Sequence, residues 1–218
     1  MKSSPLQFLA VTALSLLGSF SALAARLDMN DPRRALARED DVRIDAQLLQ
    51  EEIFSSSPLT VTYQIQNLSP MPVAVADKMT DIDYDPETST IVFSIGAEVP
   101  EGATMPHLVV IRPGQKHVFS AGGTVHIATP NVRTPWTRVP RYVQVKVVIL
   151  RNLTRFASLI ETQMKTSVQP PLPNEMFDSW VEASDAVFLN PIPVRWNVAP
   201  SRGMTAESPA AEAGGGGL

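Results

Sequence analysis

The chain has 218 residues, 44% of them apolar and 18% charged, with a formal net charge of −4 and no cysteine. A mildly acidic chain has no overall electrostatic attraction for nucleic acid or anionic membrane. The missing thiols exclude cysteine nucleophiles, thiol redox chemistry and thiolate metal sites, and they leave stability to the hydrophobic core alone.

The opening residues, MKSSPLQFLAVTALSLLGSFSALA, set Lys2 before an apolar run from Leu6 to Leu17 and end in Ala22-Leu23-Ala24. Charged, then apolar, then small is the order of a secretory signal peptide, and the run is shorter than the ~20 residues of a membrane-spanning helix. Residues 1–24 are therefore expected to be cleaved on export, giving a periplasmic or secreted protein. Export without disulfides suits a bacterial envelope protein. Residues 25–43 are charged and mixed, and they read as an N-terminal arm or a short helix after Pro32. A β domain is expected over 44–199. Residues 200–218, low in apolar bulk and ending in four glycines before Leu218, read as a disordered tail.

Strands follow in chain order. Leu59 to Gln66, LTVTYQIQ, alternates without a break, so Leu59, Val61, Tyr63 and Ile65 share one face. Asn67-Leu68-Ser69-Pro70 ends it with turn chemistry. Thr90 to Ile95 and Tyr142 to Leu150 repeat the alternation. His107 to Ile111 and Lys116 to Ser120 flank Arg112-Pro113-Gly114-Gln115, where proline then glycine suit the centre of a type II turn and a hairpin. After Pro170-Pro171-Leu172-Pro173, the stretch NEMFDSWVEAS reads as a short amphipathic helix capped by Asn174, and Ala186 to Leu189 as a last strand.

This succession of short strands with proline and glycine turns resembles the immunoglobulin-like modules of exported bacterial proteins, over roughly Ile44 to Arg155. The resemblance implies an all-β fold, an antiparallel β-sandwich of about seven strands, carrying here a short C-terminal helix. It implies no activity.

The stretch TDIDYDPET, Thr80 to Thr88, looks most like chemistry. As a calcium loop counted from Asp81 it puts Pro86 where a sharp turn needs glycine and Val92 where a bidentate glutamate belongs. The reading that uses every residue is a hairpin. Ile82 and Tyr84 pack inward, Asp81 and Asp83 face water, and Asp85 to Ser89 form the loop.

Three histidines, His107, His117 and His126, lie near Met105, and exported proteins use such residues for copper or zinc. If Pro113-Gly114 centres a hairpin, His107 and His117 point to opposite faces and cannot share an ion. If the chain crosses between sheets there, that objection lapses. No local signature of a hydrolase elbow, a zinc protease helix or a phosphate loop is present, and no catalytic residue or cofactor is expected.

The best candidate binding surface is a stiff loop, Pro130 to Arg141, in which Arg133, Arg138 and Arg141 surround Trp136. Arginine and tryptophan dominate interface hot spots, and prolines lower the entropy lost on binding. The simpler use of the same residues is edge packing, with the arginines pairing local acids such as Asp81 or Asp83. The helix with Phe177 and Trp180 is the second candidate. The expected function is a non-catalytic binding or assembly module with a protein partner in the envelope. A copper or zinc binding protein and an immunoglobulin-like protease inhibitor are the alternatives.

Overall fold

The computed structural model describes residues 31–39, 41–100, 104–127 and 138–197. The expected leader (1–24) and glycine-rich tail (200–218) lie outside the described residues. In chain order the strands are β1 (Arg34–Glu39), β2 (Val42–Leu48), β3 (Glu52–Ile53), β4 (Pro58–Asn67), β5 (Val73–Val75), β6 (Thr80–Asp85), β7 (Thr90–Ile95), β8 (Val109–Ile111), β9 (Lys116–Thr124) and β10 (Tyr142–Leu150). Two helices follow, α1 (Ala157–Thr166) and α2 (Phe177–Ala183), each entered through a 3-10 turn. β11 (Ser184–Phe188), β12 (Ile192–Pro193) and β13 (Arg195–Trp196) come last. The described chain is mostly β, arranged in several sheets.

One sheet has the order β1-β2-β4-β9 and is antiparallel throughout. β4 is its spine. Leu59, Val61, Tyr63 and Ile65 are fully buried, and the threonines and glutamines between them are half-buried. Period-two alternation with β-branched and aromatic residues produces that strand, as its sequence predicts. The charged segment that reads as an arm up to residue 43 is corrected here, because from Arg34 on it supplies β1 and the start of β2. Small residues at alternate positions, Ala35 and Ala37, turn toward the core, while Leu36 and Arg38 stay outside, a composition suited to a sheet edge.

The second sheet is built on β10, which pairs β7 along its first six residues, β12 and β11 on its other side, and β5 at Leu150. β6 extends it beyond β7, and β8 beyond β5. The β7–β10 pairing is parallel, so this sheet is mixed rather than purely antiparallel. Parallel neighbours require a long crossover. Here the connection contains β8, which joins the same sheet through β5, and β9, which joins the first sheet. The two large sheets pack over one apolar cluster that takes inward residues from both, including Tyr63, Ile65, Phe93, Val145 and Val147.

The turn at Arg112–Gln115 has the expected chemistry. Gly114 has φ +75 and the Gln115 amide donates to the Arg112 carbonyl at 3.0 Å. It does not close a hairpin, however. β8 pairs β5 and β9 pairs β4, so the chain changes sheets there. β11 includes most of the expected last strand, but β12 and β13 come after it.

A second core lies outside the sheets, where α1 and α2 cover the β5, β8 and β10 end. It joins Ala74, Met105, Leu108, Leu150, Phe156, Ile160 and Trp180. The tail of β10, Val147-Val148-Ile149-Leu150, is buried on both faces between the two cores, which explains its unbroken apolar run. Asn174 sits inside the 3-10 turn and makes no side-chain cap.

Candidate functional site

The acidic stretch is a hairpin. β6 pairs β7 from Thr80↔Ile95 to Asp85↔Thr90, Asp81 and Asp83 are exposed, and Ile82 and Tyr84 pack against the main core. Asp85 closes the loop by accepting from the Glu87 amide at 2.9 Å and the Thr88 hydroxyl at 2.6 Å. The Thr88 hydroxyl, then the Glu87 amide, hold its carboxyl below the usual carboxylate range. Both Asp85 carboxylate oxygens thus bond within the turn.

Of the Arg/Trp loop, Arg133 and Trp136 lie outside the described residues. Arg138 bridges back to the acidic hairpin: its Nη1 donates to the Glu87 carbonyl at 3.0 Å, and the Tyr84 hydroxyl donates to the Arg138 carbonyl at 2.6 Å. The Arg141 amide donates to the Ser89 carbonyl at 2.8 Å, and its side chain is exposed. These contacts anchor the end of the loop onto the β6–β7 turn through backbone carbonyls rather than carboxylates.

Met105 is fully buried in the second core, while His126 is exposed. His107 sits 3.2 Å from Asp77 through Nδ1, and His117 stacks 6.1 Å from Phe119. Among the described residues, no group of three or more histidine and carboxylate side chains is placed to hold a metal ion. Trp180, on the second candidate surface, is fully buried. It packs edge-on to Phe156 at 5.6 Å and donates from Nε1 to the Ala97 carbonyl at 2.9 Å. The covering role is the one it takes.

Two of the concave features of the described residues are clefts on either side of the start of α1, sharing Leu153 and Ala157. The first, about 620 Å³, runs between the Ser69–Val73 turn and the Arg151–Ala157 segment. Its walls are Pro70, Met71, Pro72, Val73 and Leu153, and Met71 is 64% exposed. Arg151 stands at its rim, donating from Nε to Asp185 at 2.7 Å and from Nη1 to Asp41 at 3.0 Å. Burial works against the Arg151 charge, but the bonds to Asp185 and then Asp41 outweigh it and raise its pKa. The guanidinium thus fastens the β1–β2 connection, the end of β10 and β11 together at the cleft edge.

Asn67 builds both walls. Its side chain is fully buried and donates to the carbonyls of Met71 (2.8 Å) and Ile111 (2.9 Å), while its oxygen accepts from the amide and hydroxyl of Ser69. Its backbone bonds Gly114 and Gln115. One side chain therefore sets the Ser69–Met71 turn beside the first cleft and the sheet crossing beside the second. A glycosylation triplet begins at Asn67 (Asn67-Leu68-Ser69), but that amide is already spent.

The clefts escape a reading of sequence because their residues come from four separated segments. The local signal is the exposed Met71 between two prolines, inside a stretch that otherwise reads as a turn. No family model, curated protein or solved structure matches the chain.

Proposed function

We propose that this chain is an exported, non-catalytic binding module of the bacterial envelope, built as an immunoglobulin-like β-sandwich, and that it holds a protein partner through the Met71 cleft. The observation that carries the reading is an exposed methionine over an apolar cleft whose rim is fixed by a doubly paired arginine. Methionine adapts to varied apolar partners, and exposed apolar patches with polar rims mark contact surfaces. The two face-to-face sheets support the sandwich, and the Lys2-to-Ala24 pattern supports export. The Arg/Trp loop remains an accessory contact in this reading, since Arg138 already has a structural use on the acidic hairpin.

The test is co-purification of the exported protein from its own envelope, with Met71→Asp and Trp136→Ala compared against the unmodified chain. Loss of the captured partner with Met71→Asp, and retention with Trp136→Ala, supports the cleft. The opposite pattern returns the contact to the loop, and capture unaffected by either change removes both surfaces.

A further inference from the structure

The second cleft differs from the first in its chemistry. It holds about 680 Å³, within the size range of small-molecule sites. Val110 of β8, Leu153, Ile160 and Met164 give it apolar walls, and Met164 is 71% exposed. Arg112 and Lys165 bring positive charge to the same cleft. Lys165 is engaged, its Nζ lying 2.6 Å from Glu161. Arg112 is exposed, and its guanidinium has no carboxylate partner among the described residues.

Two amide side chains on the elements that build this cleft are already engaged. Gln163 of α1 is buried and uses both ends of its amide on the neighbouring chain, accepting from the Leu108 amide at 3.1 Å and donating to the Pro106 carbonyl at 3.2 Å. The Gln115 side-chain oxygen accepts from the Arg112 amide at 3.1 Å. The cleft keeps its apolar walls and the exposed Arg112 guanidinium, with His117, Gln115 and the Lys165-paired Glu161 as its other polar lining. That combination satisfies an unbranched alkyl chain ending in a single anion, which needs no hydrogen bonds along its length.

We propose that the cleft between α1 and the β8–β9 crossing binds a free single-chain anionic amphiphile, with the alkyl chain along Val110, Ile160 and Met164 and the anion on Arg112. This reading does not depend on the Met71 cleft. Met71→Asp reports on partner capture, and Arg112→Glu reports on the amphiphile.

The test uses the whole exported protein with dodecanoate below its micelle concentration, followed by calorimetry and by displacement of anilinonaphthalene sulfonate fluorescence. Saturable binding of dodecanoate is expected, with dodecyltrimethylammonium and dodecanol each at least about tenfold weaker, the loss of one well-placed ion pair. Arg112→Gln should weaken dodecanoate and Arg112→Glu should weaken it further, while Met71→Asp should leave it within about twofold. The comparison of the three ligands needs no variant, so it stands even if a substitution harms folding. Equal binding of the cationic and anionic chains, no saturable binding, or an unchanged affinity in Arg112→Gln would overturn the proposal. So would sedimentation with phosphatidylglycerol vesicles in the absence of dodecanoate binding, because the surface would then be a membrane contact.

Discussion

Asn67 concentrates more structure in one side chain than any charged residue described here. It is fully buried, and its amide and carbonyl oxygen hold two separate segments, the Ser69–Met71 turn and the end of β8 at Ile111. Asn67→Ala removes the side-chain donor to the Ile111 carbonyl and the acceptor of the Ser69 amide, while the Met71 carbonyl keeps the Ser69 hydroxyl, so it should destabilise the protein by about 2–4 kcal/mol in urea unfolding, against about 1 kcal/mol for Ser69→Ala. Equal costs for the two would mean that the Ile111 carbonyl finds another donor. Asp31 offers a pH test. The Arg33 side chain, then its amide, and more weakly Gln47, hold the Asp31 carboxyl well below its ordinary value. A depressed folded pKa gives stability that is present above about pH 4 and lost as pH falls toward the folded value. The unfolding midpoints of wild type and Asp31→Asn should therefore differ at pH 7 and converge in acid. A gap that stays constant to pH 2 contradicts the linkage. Tyr63 shows the opposite sign. Burial, with the Asp77 charge adding to it, pushes its phenol up, so the hydroxyl stays protonated inside the core.

Among the elements, the sequence made some strands plain and concealed other features for identifiable reasons. β4, the β6–β7 hairpin and β10 were legible because their apolar residues alternate over six or more positions, which only a half-buried strand requires. β1 was not, because as an edge strand it carries arginines and glutamate that resemble a solvated arm. The Pro113–Gly114 turn was legible, but its consequence was not. The same local geometry serves a hairpin or a crossing, and pairing with β5 and β4 decides between them. α1 was missed because its buried stripe is short and includes Gln163, whose burial is bought by bonds to Pro106 and Leu108 that no local pattern encodes. Glycine geometry provides an element-level prediction. Gly96 has φ +85, and a Cβ there would sit 2.9 Å from the Val148 carbonyl oxygen of β10, whereas Gly114, at φ +75, opens onto free space. Gly114→Ala should cost about 1 kcal/mol of left-handed strain, and Gly96→Ala about 2–4 kcal/mol because backbone must also move. Equal losses in thermal unfolding would contradict close packing of β7's end on β10.

For the whole molecule, the arrangement separates a structural half from an adaptable one. Two sheets close over the main core and approach closely at β6 and β9. There the Thr80 hydroxyl donates to the Gly122 carbonyl at 3.3 Å, and Gly123 leaves room for Ile82. The helices and the β5–β8 pair form a second, smaller core at one end, and both clefts lie along its border. Functional surfaces gather where rigid sheets carry irregular connections, and here the connections are the Asn67–Val73 turn, the Arg112–Gln115 crossing and the entry to α1. The cleft was the part least readable beforehand, since Met71, Arg151 and Asp41 meet only after folding. The central claim is that Met71 marks a protein contact. Its most direct test is a photo-crosslinking residue placed at position 71, compared with one at Trp136, in the full-length protein in its own cells. The account predicts one discrete crosslinked partner from position 71. Crosslinks from position 136 alone, with none from 71, would contradict it.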